Sequence, residues 1–203
     1  MIGRATTTES SAARERVLEA AERLFSERGY NAVTLRDIAN ELGMRQASLY
    51  HHAPGGKEAL FVEVTERGLE RHRVGMEQAI AGAGPLLRDQ LRAAADWLLS
   101  QPPVDLSRMV HADMPAIGKD NAERLTLATY NALLSPLRRC FERAASHLRT
   151  PTPLPDLLGG SFVAVVELLH DVEIFARQPK QRMAYDMIDV LLEGALLRSD
   201  ERT

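Results

Sequence analysis

The chain is short of the residues that staple small folds together. Cys140 is its one cysteine in 203 residues, which excludes an intramolecular disulfide and any zinc site built on two or more thiolates. Its place in an apolar helical stretch marks it as a buried structural thiol rather than a nucleophile. Aromatic residues make up 5%, with a single tryptophan, Trp97. No apolar run approaches the roughly 20 residues of a membrane span, and the first ten residues lack the apolar core of a signal peptide. A cytoplasmic protein with no membrane partner is therefore expected. A surplus of positive charge is missing too: the net charge is −3, residues 1–60 carry eight Lys/Arg against eight Asp/Glu, and the remainder carries 17 against 20. That balance argues against strong non-specific binding to nucleic acid, although a few placed cations and helix N-termini can still hold phosphates. Nucleophile elbow, phosphate loop and zinc-hydrolase motifs are all absent, so neither an enzyme nor a cofactor is expected.

What is present is helical periodicity. No strand pattern or internal repeat interrupts it, and the spacing of apolar residues predicts an all-α chain of about nine helices. Residues 1–10 are expected as a disordered tail, 11–56 as a small helical module and 57–203 as a larger bundle. Val17, Leu18, Ala21, Leu24 and Phe25 make a stripe on a first helix running from Ala12 or Ala13 to Glu27, with Gly29 as its cap. Lys57 opens a long helix to Ile80, and another runs from Pro85 to Leu99. A short helix is expected within 104–118. Asn121 to Leu148 reads as one helix kinked at Pro136, followed by Asp156 to Arg177 and Ala184 to Arg198.

The most informative stretch is Thr34 to His52, TLRDIANELGMRQASLYHH. Thr34 is a good N-cap with Asp37 three residues on, and Leu35, Ile38, Ala39 and Leu42 recur at helical spacing. Gly43 can end that helix in the left-handed region, Met44 can plug the turn, and Arg45 to His52 can restart as a second helix. Small Ala39 and Ala47 would let the two cross closely, with Ala47, Leu49 and Tyr50 giving apolar contacts. Two packed helices with a solvated polar face would share much of this pattern; the flanks narrow it.

Those flanks are a first helix ending LFSERGYNAVTLRDIA, then LGMRQASLYHH, then a Lys-Glu-Ala-Leu-Phe run opening the next helix. In this order the landmarks over residues 11–61 resemble the DNA-binding domain of the tetracycline-repressor (TetR) family. Ala53 stands where that family usually carries an aromatic or large aliphatic residue, and Pro54-Gly55-Gly56 lengthens the following loop by one residue; both departures concern the loop. The resemblance implies a homodimeric transcriptional regulator, most often a repressor, that binds a double-stranded DNA operator and answers to a small-molecule effector. Matched position by position, it makes Arg36, Arg45, Gln46, Ala47 and Ser48 the candidates for base readout, and Thr34, Tyr50, His51 and Lys57 those for phosphate contact. Arg4 in the tail is a further possible DNA contact, and His52 is the member of the pair suited to pack inward.

For the bundle the resemblance implies a ligand pocket. Trp97, Met109, His111, Met114, Tyr130, Phe141, Phe162, Val166 and His170 mix apolar bulk with polar tips, as pockets do, and each is equally suited to plain core packing. The surplus apolar faces of the last two helices point to a four-helix dimer seam that includes Leu169, Val172, Met187, Leu191, Leu192 and Ala195. Glu167 and His170 stand three apart and His111 lies near Asp113, yet no second Glu-x-x-His pair completes a di-metal pattern, so no metal is expected. The rival reading is a DNA-bound structural or interaction protein whose bundle docks a protein partner and senses no small ligand.

Overall fold

A computed structural model describes residues 5–147, 154–172 and 177–195, and among these every regular element is helical. Helix α1 (Ala5–Ala32) is broken only at Gly29, whose φ of 80° and ψ of 168° throw the chain out of the helix for one residue. It begins inside the stretch expected as a tail and runs past the expected end at Glu27. Once the buried stripe Val17–Phe25 has nucleated a helix, the turns before it propagate by one further backbone hydrogen bond per residue. Arg4 lies outside the described residues.

Helices α2 (Leu35–Glu41) and α3 (Gln46–His52) follow, then α4 (Gly56–Gly82) and α5 (Leu87–Ser100). Residues 106–116 form one irregular helical run: α6 (Leu106–Arg108), a widened π turn at Met109–Asp113 and a tight turn at Met114–Ala116. The expected helix Asn121–Leu148 divides into α7 (Lys119–Thr129), a π turn (Tyr130–Leu134) and α8 (Ser135–Arg143). Pro136 has no N–H to give the preceding turn, and the widened turn beside it accommodates that loss. Helix α9 (Leu154–Leu168) is shorter than the expected Asp156–Arg177: beyond Leu168 the backbone tightens, with the His170 N–H on the Glu167 carbonyl at 3.1 Å. Val172 therefore lies past that helix, and residues 173–176 fall outside the described ones. Helix α10 (Lys180–Ala195) completes the chain as described. No helix among the described residues is long and apolar enough to cross a membrane.

Two compact units result. The first takes the chain up to Gly68 together with Asp105–Leu127; the second takes Leu69–Val104 and the chain from Ala128 onward. In the first, Val17, Leu24, Ile38, Leu49, Phe61 and Val64 are buried, and Leu125 of α7 joins the same core with Met114 and Ile117 packed against it. Phe61 meets Phe25 edge-on at 5.2 Å and Tyr30 at 5.0 Å.

In the second unit, α5 packs on α10 and α8 on α9. Asp189 accepts from Arg88 (2.6 Å) and Arg92 (3.3 Å), and Asp96 accepts from the Tyr185 hydroxyl (2.7 Å). The Trp97 ring lies against the α4 backbone at Gly75, where a Cβ would come within 2.0 Å of the indole. Only glycine permits that approach.

Candidate nucleic-acid interface

The two helices from Thr34 to His52 are built as their sequence dictates at the start and the turn. The Asp37 N–H donates to the Thr34 hydroxyl oxygen (3.2 Å), while the Thr34 N–H (2.8 Å) and hydroxyl (2.6 Å) both donate to the Asp37 carboxylate. These bonds form a reciprocal capping box. The bond from the Thr34 hydroxyl, and then that from its backbone, hold the Asp37 carboxyl below the usual carboxylate range. The Thr34 hydroxyl, expected at a phosphate, is thus engaged within the cap. Gly43 takes φ 62° and sends its N–H to Asn40, and the Met44 N–H returns to Ala39 (2.9 Å), which closes the turn.

Helix α3 is fastened by one residue. Leu49 has no exposed surface, whereas Arg45, Gln46, Ala47, Ser48, Tyr50 and His51 are exposed, Tyr50 at 49%. The expectation that Ala47 and Tyr50 add apolar contacts is corrected accordingly: a seven-residue helix resting on a single leucine turns them outward. Ala39 of α2 is buried as expected, His52 is half-buried, and Arg36 on α2 is exposed. Lys57, at the start of α4, lays its ammonium 4.0 Å from the centre of the Tyr30 ring. Partial burial there lowers its pKa, and the Asp113 carboxylate opposes the shift.

Behind these helices is a set of contacts that the sequence did not reveal. The Tyr30 N–H, just beyond the Gly29 break, donates to the Asp113 carboxylate at 2.8 Å, and the Arg108 Nε faces that carboxylate at 3.5 Å. Arg108 also donates to the Ser26 carbonyl (2.6 Å), one of the carbonyls left open where α1 breaks. At the start of α4, Glu58 accepts from the Gly118 N–H (2.9 Å) and the Asn121 amide (2.7 Å), and these bonds hold its pKa down. Arg124 pairs with Glu66 about two turns further along. Residues 105–127 thus grip the end of α1 and the beginning of α4, the two helices that flank the exposed pair.

Comparison with known proteins agrees with this geometry. Residues 17–64 match the family model described as bacterial regulatory proteins, tetR family. The chain is 30% identical over 146 residues to the HTH-type transcriptional repressor Rv1474c of Mycobacterium tuberculosis, covering 70% of this chain and 73% of that one. The chain belongs to the TetR family. It is a DNA-binding transcriptional regulator and not an enzyme. Another TetR-type relative, the HTH-type transcriptional regulator LmrA of Bacillus subtilis, is 50% identical over 50 residues, 25% of this chain, and the match spans only 27% of LmrA. The fold is similar to that of AibR in complex with isovaleryl coenzyme A and operator DNA, with a TM-score of 0.69, 21% identity, and coverage of 87% of this chain and 96% of AibR.

Within this TetR-family chain, the residues expected to line a pocket fall into both units. Met109, His111 and Met114 lie in the first, where His111 is exposed and Met114 packs against the core that carries α2 and α3. The second holds Trp97, Tyr130, Phe141, Phe162, Val166 and His170. There Phe141, Phe162 and Val166 have no exposed surface, and Tyr130 accepts from Arg138 (3.0 Å). Glu167 accepts from the Val104 N–H (2.7 Å), so its carboxylate fastens a loop. Of the residues expected at the dimer seam, Leu169 and Leu192 are 6% and 1% exposed within the chain's own packing, while Met187 and Leu191 are half-buried. Of Ala195 only the backbone is described. Among the described side chains of these helices, Leu157 and Leu168 of α9 and Val190 of α10, which the sequence reading passed over, are the strongly exposed large apolar ones.

Proposed function

We propose that this protein is a homodimeric repressor that lays α3 in the major groove of a palindromic operator and leaves it when a small molecule occupies the second unit. The observation that carries this reading is the outward face of α3. Arg45, Gln46 and Ser48 stand at its N-terminal end, where side chains reach base edges, and Tyr50 and His51 stand nearer its end, where they meet phosphates. Arg36 on α2 reads a guanine, and Lys57 holds a phosphate. AibR, of similar fold, binds both operator DNA and isovaleryl coenzyme A, which supports an effector for this chain as well. The protein acts in the cytoplasm, where its DNA is.

Selection of bound sequences from a random DNA pool tests the reading. An inverted repeat is expected, with half-site centres about 10 bp apart or a multiple of that; a pool that yields no enriched motif overturns it. The exposed Leu157, Leu168 and Val190 also suit a docked protein partner in place of an effector. A chain that stays monomeric in sedimentation would favour that second reading.

A further inference from the structure

A cleft of about 310 Å³ opens in the second unit between the last turns of α4, the turn after it, the start of α5 and one face of α8. None of the roles assigned above uses it. Its apolar wall is Ile80, Ala81 and Pro136, and its charged residues are Glu77, Arg139 and Arg143. The carboxylate is already shared: Glu77 accepts from Arg139 (2.6 Å) and, through its other oxygen, from Arg73 (2.8 Å). Arg139 is further fixed by donating to the Ser135 hydroxyl (2.9 Å). Arg143 is placed differently. Among the described residues its guanidinium reaches only neutral acceptors at long range, the Gln90 side-chain oxygen and the Cys140 sulfur, both at 3.3 Å. Gln90 is itself pinned, because its amide nitrogen donates to the Gly84 carbonyl at 2.8 Å and so turns its oxygen toward Arg143.

A guanidinium has five donors in a rigid fork and bonds most strongly to an anion that takes two of them at once. Here one fork is held in place beside a second, with their shared counter-charge already committed, above an apolar wall. We infer that this cleft binds a small anion, a carboxylate or phosphate ester with a short apolar body, through Arg143 and Arg139. The volume lies at the low end of the roughly 300–1,000 Å³ typical of small-molecule sites, too small for a peptide or a nucleic-acid strand. The inference rests on the proposal that the second unit senses a small molecule, and it names the chemistry and the place.

Calorimetric titration of the full chain with phenylacetate, phenyl phosphate and inorganic phosphate tests it, with phenylacetamide as the uncharged twin. At least one anion is expected to bind with a Kd on the order of 1 mM or tighter, and the amide to bind far more weakly. Arg143→Gln should weaken the anion about tenfold or more, while Arg138→Gln, whose guanidinium is held by Glu142 and Tyr130, should leave it unchanged. No anion-specific binding, or equal affinity in Arg143→Gln, overturns the site. Operator affinity measured with the site saturated separates the two readings: anion binding lost in Arg143→Gln beside an unmoved operator affinity keeps the site and removes its sensing role.

Discussion

Asp113 is a carboxylate at 4% exposure whose bonds run to the Tyr30 N–H and toward Arg108. Removing it leaves the part-buried Tyr30 N–H without its acceptor and takes from Arg108 the carboxylate that faces it, although Arg108 keeps the Ser26 carbonyl. Asp113→Ala should therefore lower stability by about 1–3 kcal/mol, read as a shift in the urea midpoint, and Asp113→Asn, which keeps an acceptor oxygen, should lose less. Equal losses in the two variants would mean that packing, not the bond, matters there. At the DNA surface two cations should separate by their effects. Arg36→Ala is expected to cost on the order of 1–3 kcal/mol on the operator and to relax preference at one position per half-site. Lys57→Ala should weaken all sequences alike and flatten the salt dependence by about one unit. Uniform weakening by Arg36→Ala across scrambled operators would reassign it to the backbone.

At the scale of elements, the cap on α2 and the break in α1 make separate predictions. The folded Asp37 carboxyl has a lowered pKa, so its contribution is fully present above the unfolded value of about 4 and is lost as pH falls through the folded value. Asp37→Asn should thus be less stable than the parent at neutral pH, and the two unfolding curves should converge in acid. A gap that persists into acid would place the effect elsewhere. At Gly29 a Cβ would meet Arg108 at 2.9 Å with φ at +80°, so Gly29→Ala, which would stabilise an unstrained helical position by roughly 0.5–1 kcal/mol, should here destabilise by about 1–3 kcal/mol, visible as a lower Tm. These two elements also show what a sequence discloses. Thr34, Asp37 and Gly43 were legible because each acts on backbone within a few residues, and the stripe of α1 because its period is local. The grip of Asp113, Arg108 and Glu58 was not, since their partners stand 83, 82 and 60 residues away. Pro136 announced a kink, but the split into α7 and α8 depends on a widened turn that no propensity encodes. Leu169 and Leu192, expected at the dimer seam, are buried within the chain's own packing, and helical period alone does not say which neighbour covers an apolar face.

For the whole molecule, that last point changes which substitution tests assembly. Leu192 belongs to the chain's own core, so Leu192→Asp should unfold it, whereas Val190→Asp at 71% exposure and Leu168→Asp at 59% should leave a folded monomer on sedimentation. A folded dimer carrying both would place the seam on another face. In the proposed function α4 would carry communication between the halves, since it holds Phe61 and Val64 in the first unit and Leu69 in the second. If an anion in the second unit weakens operator binding, the operator must weaken anion binding by the same factor, typically through a coupling of about 1–3 kcal/mol. The division itself has a further consequence. The chain passes between the units after Gly68, after Val104 and after Leu127, so the DNA-facing unit is not a contiguous stretch of gene. A fragment ending at Gly68 would lack Leu125, Met114 and Ile117 from its core and Arg108 and Asp113 from its edge. Chimeras that exchange operator specificity between relatives at that boundary would join a reading head to someone else's clasp, and a graft that also carries Asp105–Leu127 is the one built to express as a folded protein.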